Sequence, residues 1–132
     1  MASLKQIGIA VVEHAGRYLV GLRGPDVPLA GFAEFPGGKC LTDESPFDCA
    51  VRECLEETGL VVIPECLLQY KEFEYPHGAV SLHFVLCHPA NDTDVQDHYQ
   101  PFRWESARDL KELKFPEANA DVIDLLSQAR DE

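Results

Sequence analysis

The sequence predicts an α+β sandwich in which a mixed sheet lies between helices. Three features carry this expectation: short segments rich in Val, Ile, Leu and Tyr joined by tight turns, a capped amphipathic helix over residues 46–58, and a second helical pattern near the end. Residues 6–13 and 18–23 read as a hairpin around His14-Ala15-Gly16-Arg17, and 24–31, with two prolines, as a loop. Residues 32–35 predict a brief strand stopped by Pro36-Gly37-Gly38. Strand composition returns after Leu60, and residues 67–75 and 79–88 flank Pro76-His77-Gly78 as a second hairpin. A polar loop follows over 89–97, then a short strand over 102–105 and a weakly helical stretch over 106–113. Residues 119–130 carry Val122, Ile123, Leu125 and Leu126 at helical spacing.

The chain of 132 residues fits one domain spanning 1–132, and no repeat, low-complexity tract or linker divides it. Five cysteines form no C-x-x-C pair, so reduced, mostly buried thiols are expected rather than a disulfide framework or a structural zinc site. The N-terminal residues lack the pattern of a secretory signal and no apolar run reaches spanning length, so the expected setting is cytoplasmic with no membrane partner. A formal net charge of −12 disfavours polymeric nucleic acid, whose affinity comes from Lys and Arg neutralising phosphates. A small phosphorylated ligand remains compatible if a divalent metal bridges carboxylates and phosphate oxygens. Either a monomer or a homodimer fits the composition.

The central helix is specified at both ends. Ser45 reads as the N-cap, Pro46 takes the first helical position, Asp48 completes an acidic capping box, and Gly59 suits the left-handed residue past the end. Residues placed about 100° apart set Phe47, Ala50, Val51, Cys54, Leu55 and Thr58 on one side, expected to pack inward. Glu53, Glu56 and Glu57 fall on the other, expected to face outward. Like charges so close repel by about 0.2–0.5 kcal/mol per pair, and the two nearest the helix C-terminus also oppose the macrodipole. Arg52 is a partial counterion, and a solvated acidic face is one reading. A bound hard cation is the other, since Mg²⁺ takes a few carboxylate oxygens along with water and phosphate.

Gly38, then Glu44, then Arg52-Glu53-Cys54-Leu55-Glu56-Glu57-Thr58-Gly59-Leu60 resembles the Nudix box G-x5-E-x7-R-E-U-x-E-E-x-G-U, in which U is bulky and apolar. All seven fixed residues are present, a match that chance gives at about one in 10⁸ starting points if each residue type is used at about 7%. Cys54 stands where the family has a larger aliphatic residue. The resemblance implies a Nudix-type α/β/α sandwich with a catalytic loop-helix-loop, its box at residues 38–60. It implies that Glu53, Glu56 and Glu57, with the Gly37 carbonyl, hold Mg²⁺ or Mn²⁺, that Arg52 orients the glutamates and that Glu44 supports them. A water deprotonated with help from Glu53 or another site carboxylate would then attack a phosphorus of a diphosphate linkage. Lys39 either contacts phosphate or is a solvated lysine.

Outside the box the chain resembles the MutT branch, which hydrolyses oxidised purine nucleoside triphosphates to monophosphates and pyrophosphate. The resemblance rests on Glu34-Phe35-Pro36-Gly37-Gly38-Lys39, Phe73-Glu74-Tyr75-Pro76 ahead of residues 80–84, Gln100-Pro101 with Trp104, and Phe115-Pro116-Glu117-Ala118-Asn119. It implies a base-reading role for Asn119, whose amide offers donors and an acceptor; the alternative is an N-cap of the last helix. Arg23 aligns with a substrate-contacting arginine or is a surface strand residue. Phe35 is a substrate contact or, like Trp104, a packing residue. His98 stands where the branch has an acidic residue, with Asp97 and Glu105 as nearby substitutes.

The expected activity is therefore a metal-dependent hydrolase of oxidised or otherwise non-standard nucleoside triphosphates, acting in nucleotide-pool sanitation and DNA repair. Hydrolysis of another nucleoside diphosphate-linked compound, such as a nucleotide sugar or a dinucleoside polyphosphate, is the alternative. The intact glutamates argue against a silent nucleotide-sensing module.

Overall fold

The computed structural model describes residues 4–26, 28–76 and 78–131. β1 (Lys5–His14) and β2 (Arg17–Leu22) are joined by Ala15 and Gly16 alone, both at positive φ (53° and 80°). That is the two-residue turn whose twist matches a hairpin, and the Glu13 carboxylate accepts from the Gly16 amide at 2.8 Å. β3 (Ala33–Glu34) and β4 (Gly37–Lys39) follow, then α1 (Pro46–Thr58), β5 (Val62–Tyr75), β6 (Gly78–Pro89), β7 (His98–Tyr99), β8 (Phe102–Ser106), α2 (Ala107–Leu110) and α3 (Ala120–Asp131). The strand order is β5-β6-β1-β2-β8-β7, with β3 added to β2 and β4 to β1. β1 runs parallel to β6 and antiparallel to β2 and β4, so the sheet is mixed as expected.

Alternation along the strands divides the core into two layers. Val11, Tyr18, Val20, Leu82 and Phe84 point to the face covered by α2 and α3, where Leu110, Val122, Ile123 and Leu126 meet them. Ala10, Val12, Leu19, Val85 and Cys87 point to the face covered by α1 through Ala50 and Cys54. The architecture is the α/β/α sandwich that the sequence predicts. Among the described residues no helix is long and apolar enough to cross a membrane.

Several expectations change. The brief strand ends before Pro36 as expected, but Gly37–Lys39 then form a further strand that pairs antiparallel with β1, Gly38 opposite Gly8. β5 begins at Val62, where strand composition returns, and runs into the expected hairpin arm as one strand, its register slipping between Pro64 and Cys66 and between Leu67 and Gln69 where bulges interrupt it. The two-residue β7 was not expected, and the last helix starts at Ala120, after a 3₁₀ turn over Glu117–Asn119. The turn between β5 and β6 includes His77, which lies outside the described residues. Of the five cysteines, all free, Cys49, Cys54 and Cys87 are buried and Cys66 is exposed.

Candidate active site

α1 begins and ends as its sequence specifies. Ser45 Oγ accepts from the Asp48 amide at 3.0 Å, and Gly59, at φ 80°, returns its amide to the Leu55 carbonyl. Its buried stripe is rotated from the expected one. Cys49, Ala50 and Cys54 are buried, whereas Leu55 is 45% exposed. At about 100° per residue, Glu53 falls between Cys49 and Ala50 and turns toward the β4 segment, 17% of its side chain exposed, whereas Glu56 and Glu57 are exposed as expected. The physical reason is the close approach of β1 and β4. A Cβ on Gly8 would come within 2.8 Å of Cys49 Cβ and Sγ, and one on Gly38 within 2.5 Å of Glu53 Cδ and Oε1. Both glycines supply the space into which the helix face fits.

Arg52 organises the carboxylates. Its Nε and Nη2 donate to the two oxygens of Glu44 at 2.8 and 3.0 Å, a bidentate pair, while Nη1 donates to Glu53 at 3.0 Å and to Glu56 at 2.8 Å. Nη2 also reaches the Lys39 carbonyl at 3.2 Å, tying the helix to the end of β4. Glu44 accepts from the Leu41 amide as well, and with Arg52 as the larger cause its carboxyl is lowered to about 2. Glu44 therefore stays ionised at any working pH and fixes the guanidinium from behind. The planar fork of Arg52 suits this task better than a lysine ammonium.

Glu57 behaves in the opposite way. Partial burial first, and then a hydrogen bond with the Glu53 carboxyl, raise its carboxyl to about 8, against the lowering effect of the Gly37 amide. Two carboxyls sharing one hydrogen bond cannot both ionise cheaply without a cation. Glu34 adds a third negative charge near Glu57. Glu34 is the last residue of β3, and its neighbour Phe35, just past the strand, packs into the layer of α2 and α3.

The remaining candidates are distributed as follows. Arg23 donates from Nη1 to Glu34 at 3.1 Å and from Nε to the Pro28 carbonyl at 2.7 Å, so it links the carboxylate array to the loop after β2. Lys39 is exposed, with only its carbonyl engaged by Arg52. Phe35 is 6% exposed and stacks on Phe115 at 5.2 Å between ring centroids, a packing position. Trp104 packs against the α1 layer and donates its indole N–H to the Gln96 carbonyl at 2.7 Å. Asn119 is half-buried and donates to the Pro116 carbonyl at 3.4 Å; among the described residues no amide of α3 donates to its side chain, so the capping alternative finds no bond.

His98 is exposed on β7, away from α1. Neither substitute reaches the array. Asp97 lines an open pocket beside His14 and Ala15, at the other end of β2 from Arg23, and Glu105 pairs with Arg103 at 3.4 Å. The carboxylate that does join Glu57 is Glu34. In the sequence Glu34 stands only as part of the motif leading into Gly38, and its even spacing from Gly38 was the signal available.

The profile of the NUDIX domain matches residues 8–125. The chain belongs to the NUDIX domain family. An 8-oxo-dGTP diphosphatase of Escherichia coli (strain K12) is 31% identical over 119 residues, which are 89% of this chain and 92% of that protein. A CTP pyrophosphohydrolase of the same strain is 28% identical over 117 residues, 89% of this chain and 85% of the relative. Among solved structures, the MutT protein of Methanosarcina mazei Go1 matches with a TM-score of 0.77 at 21% identity, covering 99% of this chain and 98% of that one. This Nudix chain is thus placed in the MutT-like branch by sequence.

Nudix hydrolases generally need a divalent metal ion. The residues here suit one: the side-chain donors are all carboxylate oxygens, and Glu53 and Glu57 lie beside each other and beside backbone glycines, with the Glu57 carboxyl raised by burial and by Glu53. Such a set is chosen by hard cations. As the side chains stand, no three described His, Cys, Asp or Glu residues form a closed metal cage, because Arg52 engages Glu53 and Glu56.

Proposed function

We propose that this Nudix enzyme hydrolyses oxidised or otherwise non-standard nucleoside triphosphates to nucleoside monophosphate and pyrophosphate, with Mg²⁺ or Mn²⁺ as cofactor. The observation that carries the reading is the Glu53–Glu57 pair held against Gly37 and Gly38 with Glu57 raised to about 8, a carboxylate arrangement that calls for a cation. The similarity to the 8-oxo-dGTP diphosphatase over 89% of the chain supports the substrate class.

Glu53, Glu56 and Glu57, with the Gly37 carbonyl, would hold the metal, which when bound neutralises phosphate charge and acidifies water. Arg52 keeps Glu53 and Glu56 in place, and Glu44 keeps Arg52 in place. A site carboxylate takes the proton from the attacking water; the water oxygen bonds to a phosphorus of the α–β anhydride as that P–O bond breaks, and nucleoside monophosphate and pyrophosphate are the products. Arg23 and Lys39 offer cations to the phosphates at the mouth of the site. Asn119 reads the base from the α3 side of the sheet.

The test is a panel of 8-oxo-dGTP, dGTP, dCTP, CTP, a nucleotide sugar and a dinucleoside polyphosphate, assayed for pyrophosphate and phosphate release with Mg²⁺. The reading expects pyrophosphate release, fastest from the oxidised purine. A preference for CTP or for a nucleotide sugar would refute the substrate assignment and leave the hydrolytic site standing.

A further inference from the structure

Three side chains tie the first turn of α3 to β5. Gln69 and Lys71 are two residues apart on this strand and so project to the same face, the face opposite Phe84 and Leu82 that α3 covers. Lys71 Nζ lies 2.9 Å from Asp121 Oδ2, and the Gln69 side chain stands beside the same carboxylate. Only the amide nitrogen of Gln69 can donate to a carboxylate. Its oxygen is left buried with no hydrogen-bond partner. Buried polar atoms without partners are rare in native interiors, and each one asks for a reason.

Asn119 stands two residues before Asp121, in the 3₁₀ turn that precedes α3. The segment carrying it has two anchors. On one side Phe115 stacks on Phe35, inside the core. On the other, Asp121 is gripped by Lys71 and Gln69 from β5, which pairs with β6 alone in the sheet. The grip adds little to the stability of α3, since Asp121 is 57% exposed and pairs of that kind contribute weakly. α3 is held instead by Val122, Ile123 and Leu126, all buried. Asp121, the residue of the first turn that β5 holds, stands two residues after Asn119.

We propose that Lys71, with Gln69, is a positioning residue for substrate selectivity: by pinning Asp121 it sets Asn119 over the sheet face and so determines how sharply the enzyme separates an oxidised purine nucleotide from its unmodified parent. This rests on the reading of Asn119 as the group that contacts the base.

The experiment measures kcat and KM for 8-oxo-dGTP, dGTP and dCTP with Mg²⁺, together with Tm, for full-length Lys71→Ala, Lys71→Arg, Asn119→Ala, and the exchange Lys71→Asp with Asp121→Lys alongside its single components. Lys71→Ala is expected to reduce the preference for 8-oxo-dGTP over dGTP by roughly 2- to 30-fold, the range over which residues remote from a ligand modulate coupling. The loss should come through KM, with dCTP turnover and Tm nearly unchanged. Lys71→Arg should restore most of the preference, and the exchanged pair should recover what either single reversal loses. If Asn119→Ala abolishes the preference while Lys71→Ala keeps it, the positioning role is overturned and base reading stands. If Asn119→Ala keeps the preference, base reading and the positioning role fall together. An equal loss for all three substrates in Lys71→Ala, accompanied by a lower Tm, would show a purely structural tie and overturn the proposal.

Discussion

Replacing Gly38 by alanine tests whether the loop before α1 is shaped for the Glu53 carboxylate. A Cβ at residue 38 would stand 2.5 Å from Glu53 Cδ and Oε1 and 2.8 Å from Oε2, and no backbone atom is among its nearest neighbours. Carbon contacts relax at about 3.5 Å, so the carboxylate must retreat by about 1 Å. It can do so, because it is the end of a flexible side chain. Gly38 is not among the residues at positive φ, so alanine adds no backbone strain there. The substitution also removes unfolded-state freedom worth about 0.4–1 kcal/mol, which offsets a weakened Arg52–Glu53 contact. Tm should therefore stay within about 5 °C of the parent, while a 1 Å misplacement in a catalytic array costs on the order of 100-fold in rate. Gly37→Ala provides the contrast. Its Cβ would meet the Gly8 carbonyl oxygen at 2.7 Å and Ile9 Cα at 3.0 Å, backbone atoms that cannot swing away. Overpacking of that kind costs about 1–3 kcal/mol, so this variant loses stability first. Differential scanning fluorimetry and pyrophosphate release with Mg²⁺ separate the two effects. Near-parental turnover in Gly38→Ala, or a Tm lower than that of Gly37→Ala, would refute the argument.

Excess chelator should abolish hydrolysis, and Glu57→Gln should lower turnover by about 100-fold or more, since several kcal/mol of charge stabilisation depend on the cation; circular dichroism should show an unchanged fold. Glu44→Gln should lower Tm at pH 7. Because the folded carboxyl is lowered from 4.5 to about 2, its contribution is complete above about pH 4.5 and is lost as pH falls through 2, so the Tm gap from the parent should close over that window. His98→Ala should leave turnover within about twofold, as expected for an exposed residue remote from the site; a collapse would mark the histidine as catalytic.

α1 was legible because its signals are local: cap, first-turn proline, terminal glycine and periodicity all lie within its own residues. Its rotation was not. Which residues a helix buries depends on what approaches it, and Cys49 is buried only because Gly8 lets β1 come close. The same non-local cause hid β4, whose Pro-Gly-Gly lead-in reads as a stop until β1 supplies the pairing partner. The carboxylates of the box were legible by type and spacing, but not their partition: one arginine gathers Glu44, Glu53 and Glu56, and Glu57 has no part in that set. Phe35 lies inside a motif and also packs in the core, which its place in the sequence alone does not reveal. Asp97 and Glu105, near His98 in sequence, are separated from α1 by the path of β2 and β8.

Glu34 ends β3 and Phe35 follows it, yet their surroundings differ: the Glu34 charge bears on Glu57 of α1, and Phe35 stacks on Phe115. A sheet one strand thick thus partitions the molecule into two separately adjustable compartments. Replacements around Phe115, Asn119 and Asp121 leave the contacts of Arg52 untouched, and replacements along α1 leave the α3 layer untouched. Under selection, such a partition lets descendants of one ancestor acquire new clientele by altering a single compartment while inheriting the other intact.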